Sequence, residues 1–237
     1  MSARSLALVT GVGRSVGIGA ACASRLLEDG WDVVTTGWRP YDERMPWGAD
    51  SKLLTMVEAD LTDPAAPSAL FEQVQGEHGP VTALVMAHAE SVDSSILDTT
   101  VESFDRHFAV NARATWLLVK AFAEQFPGPR GAGRIVAITS DHTAFNLPYG
   151  ASKGAMDRIV LAAAVELAAQ GITSNVINPG PTETGWMDHE IRESVVRRNL
   201  QPRVGTPDDC SRLVSFLCSD AGRWINGQLL HSDGGRL

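Results

Sequence analysis

Short, unbroken apolar runs alternate along this chain with longer stretches in which apolar residues recur every three or four positions. The runs at 5–11 ("SLALVTG"), 31–37, 52–60, 81–87 ("VTALVMA"), 133–140 ("GRIVAITS"), 172–180 and 227–235 read as strands. Their continuous apolar character, without alternation, is what a strand covered on both faces requires. Helical patterns fill the intervals at 18–30, 64–79, 100–126, 149–169 and 206–220. Several of these carry end signals. Gly30 stops the first and Pro127 the third, which opens on Thr100. The last has Thr206 as its cap, Pro207 at the first helical position and Asp209 three residues past the cap. Strands alternating with helices predict a parallel sheet, and right-handed crossovers make it a doubly wound α/β sheet with helices on both faces. Ligands of such sheets sit beyond the carboxyl ends of the strands, so chemistry is sought there.

The chain has 237 residues, a length that one α/β domain fills, and no stretch reads as a linker or a repeat; a single domain over 1–237 is expected. A formal charge of −8 sets aside the general nucleic-acid binders, which are usually basic. No segment approaches membrane-spanning length, and the apolar run at the start is too short for a signal peptide. Cys22, Cys210 and Cys218 lack metal-site spacing and are odd in number, which predicts reduced, buried thiols in a cytoplasmic protein. The helix at 149–169 is apolar around most of its circumference. One side meets the sheet; a second subunit is expected to cover another, making a homo-oligomer.

Two strand ends carry candidate chemistry. After the first comes "TGVGRSVGIG" (10–19), a Gly-rich turn that opens a helix, suited to a pyrophosphate approached by backbone N–H groups. At the second, "VVTTGWRP" (33–40), no carboxylate awaits an adenosine ribose hydroxyl. Arg39 stands there instead, with Arg14 in the Gly-rich turn, and two cations favour a 2′-phosphate, hence NADP(H) over NAD(H). Beyond the fifth strand, Ser140 is followed by Tyr149 and Lys153, four apart and so on one helix face. An ammonium beside a phenol favours the phenolate and lowers the phenol's pKa. The plainer alternative pairs Lys153 with Asp157, also four residues on.

With Gly11, Gly17 and Gly19, then Asp60, Asn111, Ser140, Tyr149, Lys153 and "NPGPTET" (178–184), the chain resembles the short-chain dehydrogenase/reductase family in its compact single-domain form, from Leu6 to Gly235. The resemblance implies a Rossmann-type fold and hydride transfer between NADP(H) and a carbonyl carbon. It makes Tyr149 the general acid/base, with Lys153 lowering the phenol's pKa and holding the nicotinamide ribose. It has Ser140 bond the substrate oxygen and Asn111 position a water in a proton relay from Lys153. For the cofactor it implies Gly11, Arg14, Gly17, Ile18 and Gly19 at the phosphates, Asp60 and Leu61 at the adenine, and Ala87 beside its path. Pro179, Thr182 and Thr184 are implied at the carboxamide.

There are departures from the family pattern. The Gly-rich turn is longer than its commonest form. "MAHA" (86–89) replaces Asn-Asn-Ala-Gly, with His88 expected as a structural or pocket-edge residue, and the Ser140–Tyr149 loop is shorter than usual. Adjacent Asp141 and His142 diverge on an extended segment, which argues against a Ser-His-Asp hydrolase. The family's lid falls at 185–203, where Trp186, Met187 and Ile191 offer an apolar cover. Arg192, Arg197, Arg198 and Arg203 there fit either a solvated helix face or an acidic partner such as an acyl-carrier protein, as in 3-oxoacyl reductases. The resemblance suggests a dimer or tetramer. Two competing functions remain: a non-redox lyase on the same scaffold, and a non-catalytic nucleotide-binding module.

Overall fold

The computed structural model describes residues 5–48, 50 and 56–235. Seven parallel strands form one sheet, and their order is β3-β2-β1-β4-β5-β6-β7. They are β1 (Leu6–Thr10), β2 (Asp32–Gly37), β3 (Val57–Glu58), β4 (Val81–Met86), β5 (Gly133–Ile138), β6 (Ile172–Asn178) and β7 (Leu229–His231). The strand expected at 52–60 is described only as the two residues of β3; its positions 52–55 lie outside the described residues. Every residue of β1 and β5 is buried, as continuous apolar runs require.

The alternating residues of each strand feed two cores. On one face Leu8, Leu84 and Ile135 pack under α3 (Ala66–His78), α5 (Ala114–Gln125) and α6 (Leu147–Glu166). On the other, Val9, Val85 and Val136 pack under α1 (Ile18–Glu28) and α8 (Pro207–Cys218). The α8 cap is as the sequence predicts. Thr206 accepts from Asp209 N–H, and the Asp209 carboxylate accepts from Thr206 N–H at 2.7 Å. All three cysteines are free and buried.

Two departures bear on the site. A short helix, α2 (Arg39–Arg44), follows β2, with residues 45–48 trailing from it. The long helix expected at 100–126 is interrupted: α4 (Val101–His107) passes into a π-helical turn over Phe108–Arg113 before α5 resumes. A π turn holds one more residue than an α turn, so it bulges outward at one face. Here the bulge carries Asn111. A further helix, α7 (His189–Arg198), stands in the lid region. No helix among the described residues is long and apolar enough to cross a membrane.

Candidate active site

At the carboxyl ends of the strands lies a cleft of about 1270 Å³. Its first wall is the turn after β1. Gly11 has φ +75°, and a Cβ there would stand 2.4 Å from the Ala87 carbonyl carbon and the His88 nitrogen. Only glycine lets the turn pass this close to the end of β4. A Cβ on Gly19 would meet Gly11 O at 2.6 Å, which brings α1 equally near. α1 starts at Gly17 with no side-chain cap and no acidic residue in its first turn, and Gly17, Ile18 and Gly19 line the cleft. Its leading N–H groups and positive end are left for an external anion, and a pyrophosphate fits this cradle.

Asp60, Leu61 and Ala87 line the same cleft. Asp60 Oδ1 accepts from the Thr62 N–H at 2.9 Å and from its hydroxyl at 2.7 Å. Arg14 lies along the wall with its guanidinium carbon 4.7 Å from the Trp47 ring centre. Arg39, the other cation expected at a 2′-phosphate, stands apart. It pairs with Glu58 at 3.1 Å on the surface and is not on the cleft wall, because α2 begins at this residue and turns its side chain toward β3.

The other end of the cleft holds the hydroxyls. Ser140 follows β5 and Tyr149 stands in the first turn of α6, and both line the cleft. Burial pushes the phenol up to about 12, with Ser140 opposing the rise and Asp157 adding to it. Lys153 is 2% exposed. Its Nζ donates to Ile138 O at 2.9 Å and His88 O at 3.3 Å and stands 5.9 Å from the Tyr149 ring centre. Burial lowers this amine to about 8, with the Asp157 carboxylate opposing. The sequence suggests a phenol lowered by its lysine; here burial raises the phenol, and the ammonium is turned to strand-end carbonyls. Nor do Lys153 and Asp157 form an ion pair.

Asn111 is fully buried and absent from the cleft wall. Its Oδ1 accepts from Glu90 N–H at 2.8 Å, while Nδ2 donates to Glu90 O and to Ser152 Oγ, both at 2.9 Å. Ser152 in turn donates to Tyr149 O at 2.9 Å. The amide thus braces the β4 end against α6. His88 is buried with Nδ1 2.7 Å from Thr10 Oγ1, and burial, then Lys153, lower it to about 3. The His142 ring contacts Ala144 O at 2.8 Å, so no hydrolase triad assembles at Ser140.

Pro179, Thr182 and Thr184 line the cleft beyond β6. Trp186 closes over them, its indole N–H donating to Thr182 O at 3.1 Å. Asp188 caps α7 at 2.8 Å. Arg192 pairs with Glu183, Arg197 with Glu193 at 3.4 Å, and Arg203 with both Asp209 oxygens at 2.6 and 2.8 Å. The basic face expected in the lid is therefore largely neutralised from within; of its four arginines, Arg198 lines the cleft.

A family model described as enoyl-(acyl carrier protein) reductase matches residues 11–236. The chain belongs to the short-chain dehydrogenase/reductase family. Among curated relatives, an uncharacterised oxidoreductase of Bacillus subtilis, YjdA, is 34% identical over 99% of this chain and 97% of its own length. A chloroplastic NADPH-dependent aldehyde reductase 2 of Arabidopsis thaliana is 35% identical over 98% and 93%. Among solved structures, the angucycline C-6 ketoreductase LanV with bound NADP superposes with a TM-score of 0.83 at 29% identity, over 98% of this chain and 95% of that one. In this short-chain dehydrogenase/reductase, sequence reasoning missed two cleft residues, Arg44 and Glu90, which pair with each other. A signal was present: Glu90 is an acid four residues past the end of an apolar strand.

Proposed function

We propose that this short-chain dehydrogenase/reductase is an NADPH-dependent oxidoreductase that reduces a ketone or 3-oxoacyl carbonyl to a secondary alcohol, reversibly. One observation carries the reading: Ser140, Tyr149 and Lys153 meet at one end of a cleft whose other end is the uncapped start of α1. An aldehyde reductase that uses NADPH and a ketoreductase crystallised with NADP, both similar along nearly the whole chain, support it. When bound, the cofactor supplies the hydride. Ser140 Oγ donates to the substrate oxygen and orients it. Tyr149 gives its proton to that oxygen as negative charge develops there, and takes one back in the reverse reaction. Lys153 stabilises the phenolate that remains, a service needed most where burial has pushed the phenol so high. Trp186 and Ile191 cover the substrate side and exclude water.

Replacing Tyr149 by Phe is expected to lower turnover at least about 1000-fold, within the span of a lost general acid, while NADPH titrated by nicotinamide fluorescence binds as before. Retained turnover would refute the assignment. Unaltered protein that binds NADPH but turns over no ketone, aldehyde or 3-oxoacyl thioester would favour the non-catalytic reading. The free, buried cysteines support a reducing, cytoplasmic setting. The internal pairing of the lid arginines weakens the case for an acyl-carrier partner, so a free carbonyl compound is the preferred substrate.

A further inference from the structure

α2 and the residues after it form a strap over the Gly-rich turn. A Cβ on Gly13 would meet the Asp42 carboxylate at 2.1 Å, Arg14 lies on Trp47, and the Ser15 N–H donates to Asp50 at 2.9 Å. From this strap Arg44 reaches across the cleft to Glu90, beyond β4, and one guanidinium nitrogen serves both carboxylate oxygens. The Tyr41 ring centre lies 5.0 Å from that guanidinium. Glu90's side chain is 5% exposed and Arg44's 38%. Asn111 clamps the Glu90 backbone from both sides, which fixes the carboxylate at the cleft wall. A buried anion thus stands two residues beyond His88, against which the phosphate-cradling turn packs. Unneutralised, it would repel a polyanionic dinucleotide at short range and in low dielectric. Arg14 of the Gly-rich turn faces Asp42 of the strap, with Asp50 nearby.

We propose that Arg44 and Glu90 form a charge-balancing pair that sets the affinity of the cleft for its dinucleotide, and for the more highly charged NADPH above NADH. The proposal rests on the NADPH reading of the cleft. It differs from a simple structural clip in the signs it requires. Glu90→Gln removes the anion and leaves Arg44 as a surplus cation, and Arg44→Gln leaves the buried carboxylate uncompensated.

The test is equilibrium titration with NADPH and NADH, followed by nicotinamide fluorescence at low and moderate salt. Glu90→Gln is expected to bind NADPH about fivefold more tightly, with a smaller gain for NADH and a steeper loss with salt. Arg44→Gln is expected to bind NADPH at least about tenfold more weakly, and the double variant to return within about threefold of the unaltered protein. Should Arg44→Gln fail to fold, Arg44→Lys keeps the charge without the planar fork and should stay within about threefold of the unaltered affinity. Weakening by both single variants, or no change in either, would overturn the pair's role while leaving NADPH binding by the unaltered protein intact. Failure of the unaltered protein to bind NADPH would overturn both readings.

Discussion

The residue that most alters the expected chemistry is Asp157. Lys153 lies in a site dry enough to bring its amine to about 8, so its charge is not assured at the upper end of the physiological range. Asp157, one helical turn further along α6, is the group that holds the ammonium up against burial. In the proposed mechanism Lys153 works as a cation, so kcat/KM is expected to fall as pH rises through about 8, where burial brings that amine. Asp157→Asn removes the support, lowers the amine's pKa further and moves the falling limb to lower pH; a pH–rate profile with the limb unmoved would dissociate Asp157 from Lys153. Spacing alone brings Tyr149, Lys153 and Asp157 onto one helix, but not the balance among them. Sequence shows which charges are near and says little about how thoroughly water is excluded, and exclusion decides the sign at Tyr149.

Among the elements, the segment joining β5 to α6 carries two marks of constraint. Phe145 has φ +64°, a left-handed conformation costly for an aromatic residue, and its side chain is 81% exposed. A Cβ on Gly150 would stand 2.0 Å from His142 O, so this loop lies directly on the first turn of α6, beside Tyr149. Gly150→Ala should displace the loop, cost about 2 kcal/mol or more and raise KM for the carbonyl substrate, read by thermal unfolding and steady-state kinetics. Unchanged stability and KM would show the loop to be slack. Other elements were legible to different degrees. The α8 cap and the buried strands follow from local sequence. The π turn at 108–113 does not: its residues continue an ordinary helical pattern, and it forms where Asn111 must reach Glu90 and Ser152. Arg39 is a related case. Proximity to the strand end put it at the phosphate, while the start of α2 directs it to Glu58.

For the whole molecule, α5 and α6 present a shared outer face with a groove of about 490 Å³ lined by Trp116, Val119, Ala123, Ile159 and Ala162. Trp116 is 51% and Val165 79% exposed, an apolar outlay that a lone chain does not need. A homo-oligomer through this face, as the apolar helix suggested, predicts that Trp116→Glu with Val165→Glu yields a smaller species in sedimentation, while a species of unchanged size would clear the face of that role. The sheet order has a further consequence, in time. β1 is made before β2 and β4, yet it ends between them in the middle of the sheet. Its second edge stays bare until residues 81–86 exist, and the turn at Gly11 has nothing to rest against until Ala87 and His88 follow. A nascent chain thus carries its phosphate cradle as an unsupported loop until those residues are made, and meanwhile an exposed apolar strand is a target for chaperones and for other copies of itself.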